Sequence, residues 1–212
     1  MNILDGRITI EKRHSDINGE LTVVQDIFMG TYILGGGLPQ SGGLAKTIWR
    51  HTLSSINVDQ FNVKKCLILG LGGGGIVDLV LKKWPDADIT GIDIDPVIVE
   101  LGMKHLKLDK NKVDIHITDA EKFIKECNAA YDLICVDTYV GDEFPEKFTT
   151  EKFVNEIRKL LTSKGKAIFN RLYGPEDRND ALKFGKTLEK VFPNVDRVYP
   201  EANIMFICSV GD

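Results

Sequence analysis

Cysteine is scarce in this 212-residue chain and is never paired at short spacing. The four cysteines stand apart, at Cys66, Cys127, Cys135 and Cys208. Three of them lie in apolar segments typical of strands, so free thiols in a reducing compartment are favoured over disulfides or metal ligation. We therefore expect a cytoplasmic protein. Its four histidines show no pair at metal-ligand spacing, and no metal site is expected.

A strong net charge and long apolar runs are also missing. The formal net charge is −4, with no basic stripe for a phosphate backbone, so we expect no nucleic-acid partner. No apolar run has the length of a bilayer span, which predicts no membrane partner. The first 20 residues carry charges that exclude a signal-peptide core, namely Asp5, Arg7, Glu11, Lys12 and Arg13.

Residues 1–42 have the pattern of a small β-strand domain. Ile8 and Ile10 alternate with polar residues, and Asn18-Gly19 is typical of a type I′ hairpin turn. Pro39 is expected to break the strand pattern. Residues 43–61 would then hold a connecting helix, because apolar residues recur at helical spacing over 44–56.

Residues 62–212 alternate short apolar strands with amphipathic helices, which predicts a mostly parallel sheet. One of these helices should hold Phe153 to Leu161 and end at Gly165. The last two strands are joined only by residues 200–203, too few for a crossover helix, so they must be antiparallel. Five β-α units followed by such a hairpin resemble the α/β, Rossmann-like sheet of class I methyltransferases.

A glycine loop follows the first strand of this region. Its sequence is Gly70-Leu71-Gly72-Gly73-Gly74-Gly75, and a helix comes directly after it. Glycines let a backbone approach a ligand closely, and a helix start offers free N–H groups. We predict that Gly70, Gly72, Gly73 and Gly74 bind a cofactor. The loop also matches G-x-G-x-x-G, so by itself it fits a dinucleotide as well as a sulfonium nucleoside.

Acidic residues follow the next two strands. Asp93 ends the second strand, where a carboxylate can accept hydrogen bonds from two ribose hydroxyls, and Ile94 lies beside it. Asp119 follows the third strand and could accept from an adenine amino group, with Ala120 leaving room for the ring. Alternatively, Asp119 is simply a helix cap. The combination favours an adenosyl sulfonium over NAD, whose sites have no standard use for the third group.

Asp137 ends the fourth strand and should face the ligand, because ligands of open parallel sheets lie beyond the carboxyl ends of the strands. The loop after it carries Tyr139, Asp142 and Glu143, enough acid to attract a cationic amine. A solvated loop is the alternative for these acids. We therefore predict that Asp137 faces the ligand, with Tyr139 and Asp142 near a cationic acceptor.

These segments together resemble the spermidine synthase family, the aminopropyltransferases. The resemblance rests on residues 67–96, on Asp119-Ala120 and on Tyr131 to Asp137. It implies decarboxylated S-adenosylmethionine as cofactor, a small amine as acceptor, and a homodimer formed through the amino-terminal strands. It also implies that Asp137 is the catalytic residue, which positions or deprotonates the amine, and that Gln40, Tyr139 and Asp142 contact the acceptor.

Three positions depart from that family. Gly73 stands where its loop has an Asp facing the cofactor's ammonium tail, Val140 replaces a second Asp, and Trp49 or a neighbour replaces a tyrosine. These changes bring the chain nearer to the spermidine-synthase-like branch and admit ordinary S-adenosylmethionine and methyl transfer. A true spermidine synthase, a non-catalytic nucleoside-binding relative and an NAD-dependent oxidoreductase are the other hypotheses.

Overall fold

The amino-terminal residues form an antiparallel sheet, because short β-branched segments alternate there with turns. The computed structural model describes residues 6–141 and 143–211. The strands of this sheet lie side by side in chain order. They are β1 (Arg7–Ser15), β2 (Gly19–Asp26), β3 (Gly30–Gly35) and β4 (Leu38–Gly42). Leu21, Val23 and Ile33 from the two middle strands are fully buried, so one face of the sheet packs against the rest of the protein.

Two details of this sheet differ from the sequence prediction. The hairpin between β1 and β2 exists, but Asn18 does not have the positive φ that a type I′ turn requires. Instead, the hydroxyl oxygen of Ser15 accepts from the N–H groups of Ile17 and Asn18, at 3.0 and 3.1 Å. The prediction that Pro39 breaks the strand pattern is wrong. Pro39 lies within β4, an edge strand, where a missing N–H leaves no ladder partner unsatisfied.

Helices and strands alternate in the remainder of the chain, as the pattern predicted. The helices are α1 (Gly43–Ser54), α2 (Gly75–Lys83), α3 (Pro96–His105), α4 (Ala120–Glu126), α5 (Glu151–Lys159) and α6 (Arg178–Val191), with a 3₁₀ turn at Glu146–Thr149. The strands are β5 (Lys65–Leu69), β6 (Asp88–Asp93), β7 (Asp114–Ile117), β8 (Tyr131–Val136), β9 (Leu161–Leu172), β10 (Asn194–Val198) and β11 (Asn203–Ser209).

Within the described residues these seven strands form one sheet, in the order β10-β11-β9-β8-β5-β6-β7. Strands β5 to β9 pair in parallel, whereas β11 is antiparallel to both β9 and β10. This confirms the predicted α/β sheet with an antiparallel last strand. The strand order reverses beside β5, and ligands of such sheets bind at the point of reversal.

The boundary between α5 and β9 was predicted wrongly. The helix ends at Lys159 rather than at Gly165, and Leu161 already pairs with Tyr131 of β8. Leu160 and Leu161 are buried and continue the helical spacing, so the sequence pattern did not separate helix from strand. Pairing with β8 decides the conformation. The N–H of Tyr131 donates to the carbonyl oxygen of Leu160 at 2.7 Å, and the start of β8 would lose this pairing if the helix continued.

Both sheets share one hydrophobic core. Leu21 and Ile33 of the amino-terminal sheet belong to the same buried cluster as Trp49 of α1 and Ile68 of β5. The amino-terminal sheet is therefore packed on the larger sheet. No helix in the described parts of the chain has the length and apolarity needed to cross a membrane.

Candidate functional site

A cavity lies at the carboxyl ends of the parallel strands, where the strand order reverses. Its volume is about 350 Å³, within the range of small-ligand sites. The amino-terminal sheet and α1 close one side. The charged side chains that line it, among the described residues, are Lys46, Asp93, Asp119, Asp137 and Lys147.

The first half of the glycine loop lines this cavity. Gly70 has φ 86°, and a Cβ there would lie 2.0 Å from the carbonyl oxygen of Asp137. Only glycine allows the ends of β5 and β8 to approach this closely. Gly72 also lines the cavity and donates its N–H to a carboxylate oxygen of Asp93 at 2.6 Å.

Two other glycines of the loop, Gly73 and Gly74, were also predicted to bind the cofactor. Gly73 and Gly74 are buried behind the cavity and are not among its lining residues. A Cβ at Gly73 would lie 2.6 Å from a methyl carbon of Leu106 and 2.9 Å from the hydroxyl of Ser41. Gly73 also donates its N–H to that hydroxyl at 2.9 Å. Gly73 is therefore bonded to β4 and packed against Leu106, the residue that follows α3.

Asp93, at the end of β6, lies in the cavity as predicted from its place in the strand. Its other carboxylate oxygen accepts from the N–H of Asp95 at 2.9 Å. Burial raises the pKa of Asp93 to about 6, although these backbone hydrogen bonds favour the ionised form. Ile94 lines the same wall and is 45% exposed. At neutral pH the carboxylate keeps lone pairs free to accept from a ligand's hydroxyl groups.

Asp119 lines the cavity and has the helix-capping role that the sequence left open. One carboxylate oxygen accepts from the N–H of Lys122 at 3.1 Å and so caps α4. The other pairs with the ammonium group of Lys147, from the 3₁₀ turn. Partial burial opposes ionisation, but these bonds outweigh it and lower the pKa of Asp119. Ala120 lines the cavity beside it, with a small side chain that leaves room for a flat ring.

Asp137 follows β8 and faces the cavity between the two sheets. Its carboxylate accepts from the indole N–H of Trp49 at 2.7 Å and from the side-chain amide of Asn170 at 2.8 Å. Burial raises the pKa of Asp137, and these two hydrogen bonds oppose that effect. An ionised carboxylate held in this way can bind an amine or accept a proton from it.

The predicted acceptor contacts have different outcomes. Gln40 lines the cavity and donates to the carbonyl oxygen of Gly141 at 2.9 Å, so it ties β4 to the loop after β8. Tyr139 also lines the cavity, and its hydroxyl oxygen accepts from the N–H of Leu172 at 2.7 Å. Burial raises the pKa of Tyr139, so the phenol is neutral at pH 7. Asp142 lies outside the described residues.

The sequence reading missed Asn170, Lys147 and Ser41. Asn170 is a polar residue at the carboxyl end of an apolar strand, the same signal that identified Asp93 and Asp137. Lys147 and Ser41 carry no such signal, because their contacts depend on how a loop and an edge strand fold over the cavity. The sequence identified Trp49 as a replacement for a tyrosine, and in the structure its side chain is 1% exposed and bonded to Asp137.

None of the four cysteines lines this cavity. All four cysteines are free, and three of them are buried. In the described part of the chain, no group of three His, Cys, Asp or Glu side chains is arranged to hold a metal ion.

Comparison with known proteins identifies relatives of two kinds. A polyamine aminopropyltransferase of Vibrio vulnificus is 29% identical over 137 residues, which cover 59% of this chain and 46% of the relative. An eEF1A lysine and N-terminal methyltransferase homolog of Drosophila melanogaster is 29% identical over 143 residues, or 62% of this chain and 21% of that protein. The chain thus spans less than half the length of either relative.

The fold is also similar to that of a solved enzyme. The crystal structure of spermidine synthase from Thermotoga maritima matches with a TM-score of 0.78 at 21% identity, over 96% of this chain and 73% of that one. The family model of the spermine/spermidine synthase domain matches residues 42–205, which include β5 to β10, the glycine loop and all three cavity aspartates. The chain therefore belongs to the spermine/spermidine synthase family.

Proposed function

We propose that this protein is a transferase that binds an adenosyl sulfonium donor and moves a methyl or aminopropyl group to a small amine. The donor is S-adenosylmethionine or its decarboxylated form. The observation that carries this proposal is the meeting of the glycine loop, Asp93, Asp119 and Asp137 in one cavity. The family and the two kinds of relatives support it.

The residues present fit such a donor. Asp93 would accept from the ribose hydroxyls, Asp119 from the adenine amino group, and Ala120 leaves room beside the ring. The hydroxyl of Thr138, next to Asp137, is buried without a hydrogen-bond partner, which leaves a polar contact for a ligand. When bound, the donor supplies an electrophilic carbon on sulfur.

Asp137 would act on the acceptor. Its carboxylate would orient the amine toward the donor and take up the proton that the amine loses. Burial of this carboxylate strengthens its attraction for a cation, because the local dielectric constant is lower than in water. Catalysis would then depend mainly on placement of the two reactants.

The first experiment is a parallel calorimetric titration with S-adenosylmethionine, its decarboxylated form, methylthioadenosine and NAD. Preference for the decarboxylated form indicates aminopropyl transfer, whereas preference for S-adenosylmethionine indicates methyl transfer. Binding of NAD alone would overturn the proposal.

Three variants test the assigned residues. Asp93→Ala should abolish binding of the donor. Asp137→Asn should abolish turnover with amine acceptors and leave donor binding unchanged. Asp88→Asn is the control, because Asp88 is exposed and begins β6, at the end of the strand away from the cavity. This variant should leave donor binding and turnover unchanged. If Asp137→Asn retains full turnover, the catalytic assignment is wrong.

A cytoplasmic location and a homodimer stay predictions. Strand β1 is an edge strand on which Ile8 and Ile10 are 45% and 43% exposed, which supports pairing through this edge. Analytical ultracentrifugation of the purified protein tests the oligomeric state.

A further inference from the structure

A chain of neutral hydrogen-bond donors lies behind the Asp137 carboxylate. Trp49 donates to one oxygen at 2.7 Å, and Asn170 donates to the other at 2.8 Å. Asn203 continues the chain, since its side-chain NH₂ donates to the side-chain oxygen of Asn170 at 2.8 Å. The three donors come from α1, β9 and β11, and two of them, Trp49 and Asn170, are bonded directly to the carboxylate.

Asn203 determines which way the Asn170 amide points. An asparagine side chain has one accepting oxygen and one donating nitrogen. Because the oxygen of Asn170 accepts from Asn203, its NH₂ group faces Asp137. The reverse orientation would set an oxygen against the carboxylate and a nitrogen against another NH₂ group, and neither contact is a hydrogen bond. Asn170 and Asn203 are 7% and 5% exposed, so water offers little compensation for such a loss.

Asn203 is itself fixed by the carboxyl-terminal hairpin. It begins β11, pairs with Leu172 of β9, and donates its backbone N–H to the carbonyl oxygen of Pro200 at 3.0 Å. The neighbouring Ala202 accepts from the N–H of Tyr173 at 2.8 Å. The antiparallel last strand thus delivers a side chain to the cavity, because Asn203 and Asn170 both line it.

No charged side chain among the described residues is bonded to Asp137, so the neutral donors set its charge state. The nearby titratable groups are Cys135 on the same strand and Tyr139 on the following loop. Burial raises the pKa of each well above neutrality, and both therefore stay uncharged. Trp49 faces Asp137 from α1 and Asn170 faces it from β9. Hydrogen bonds to a carboxylate favour its ionised form, whereas burial disfavours that form.

We propose that Asn170 and Asn203 are positioning residues for the transfer. Asn203 fixes the amide of Asn170, and Asn170 with Trp49 holds Asp137 ionised and directed into the cavity. This inference rests on the proposed function for the reaction itself. The hydrogen bonds that it invokes involve only Asp137 and its neighbours.

The test is a titration of Asp137 by NMR in protein labelled with carbon-13 at the aspartate carboxyl groups. Loss of one resonance in Asp137→Asn assigns the signal. In Asn170→Leu, the midpoint of the Asp137 titration should rise by about one pH unit or more, because hydrogen bonds to charged groups have that strength. Asn203→Leu should raise it by a smaller amount, since the Asn170 amide remains but is free to turn.

A matched control is available on the same strand. Thr162 of β9 donates its hydroxyl to a carboxylate oxygen of Asp132 at 3.1 Å, at the far end from the cavity. Thr162→Val should leave the Asp137 midpoint unchanged. Circular dichroism and thermal unfolding verify that each variant is folded. Asn170→Ala and Asn203→Ala, which remove the amide without adding bulk, serve wherever a leucine variant does not fold. Unchanged midpoints in folded Asn170 and Asn203 variants would overturn the inference.

Kinetics separate this inference from the proposed function. Once a donor and an acceptor are identified, Asn203→Leu should lower kcat severalfold at neutral pH and move the acidic limb of the pH profile upward. KM for the donor should not change, because Asp93 and Asp119 are untouched. Absence of any transfer by the wild type would refute the proposed function, while the NMR result would still stand. Normal kinetics in Asn203→Leu with an unchanged titration would refute only the positioning role.

Discussion

Gly73 stands where the loop of the spermidine synthases has an Asp. The variant Gly73→Asp tests whether this protein can accommodate that Asp and acquire a preference for the decarboxylated donor. The new Cβ would lie 2.6 Å from Leu106, 2.9 Å from Ser41 and 3.1 Å from Ile33. Overpacking of this kind costs about 1–3 kcal/mol. The carboxylate would also be buried with the Ser41 hydroxyl as its donor, which adds about 2 kcal/mol.

We therefore expect Gly73→Asp to lower the free energy of unfolding by about 3–5 kcal/mol. For a domain of this size, that corresponds to a fall of about 1–2 M in the midpoint of urea unfolding. The variant should show no new preference for decarboxylated S-adenosylmethionine, because the side chain introduced at this position would face Leu106 rather than the cavity.

Two further variants sharpen this test. Gly73→Ala should show the overpacking cost alone. Adding Leu106→Ala to Gly73→Asp should recover about 1 kcal/mol relative to the sum of the single effects, because the two side chains compete for one space. A Gly73→Asp protein that has wild-type stability and prefers the decarboxylated donor would refute the tight packing around Gly73.

Three other predictions concern single side chains. Because the pKa of Asp93 is raised from 3.8 to about 6, its contribution to stability is fully present below pH 4 and is lost as the pH rises through 6. The wild type should thus lose up to about 3 kcal/mol of unfolding free energy between pH 4 and 7, and Asp93→Asn should not, so the variant gains that amount relative to the wild type. Urea unfolding at the two pH values measures this difference. Donor binding by Asp93→Asn should be lost. Lys147→Met should bind methylthioadenosine severalfold more tightly in calorimetry, because Asp119 loses the ammonium group that competes with the ligand. The exposed control Lys125→Met should bind it as the wild type does. Weaker binding by Lys147→Met would contradict this role of Lys147. Asp95→Ala should lower the free energy of unfolding by about 3 kcal/mol or more. The buried Asp95 carboxylate accepts from the Ser15 hydroxyl, the Asn18 side-chain amide and the N–H of Val97, and so caps α3. A thermal melt unchanged from wild type would contradict this.

The parts of the fold that could be predicted are those in which local pattern and tertiary structure agree. The apolar spacing over 44–56 predicted α1, and the four-residue link before β11 required an antiparallel pair. The errors fell where a neighbouring strand decides the outcome. Pro39 is tolerated because β4 lies at an edge, and Leu161 extends in a strand because β8 is beside it.

The site was predictable to the same degree. Asp93, Asp119 and Asp137 were found because the ends of parallel strands meet at one edge, a rule that needs no coordinates. The pairing of Lys147 with Asp119 could not be predicted, because it depends on how the loop after β8 folds. The burial of Gly73 could not be predicted either, because it depends on the close approach of Gly102 on α3. A Cβ at Gly102 would lie 2.4 Å from the Gly73 Cα. Neither contact is encoded by a motif.

The indole hydrogen bond to Asp137 has an optical consequence. The chain contains two tryptophans, Trp49 in contact with the cavity carboxylate and Trp84, whose indole donates to the carbonyl oxygen of Phe61 at 3.1 Å. A Trp84→Phe protein would keep Trp49 as its single tryptophan, and with excitation selective for tryptophan its emission should respond to the charge of Asp137. Occupancy of the cavity and protonation of its carboxylate can therefore be followed by intrinsic fluorescence, without a label and before any substrate is known.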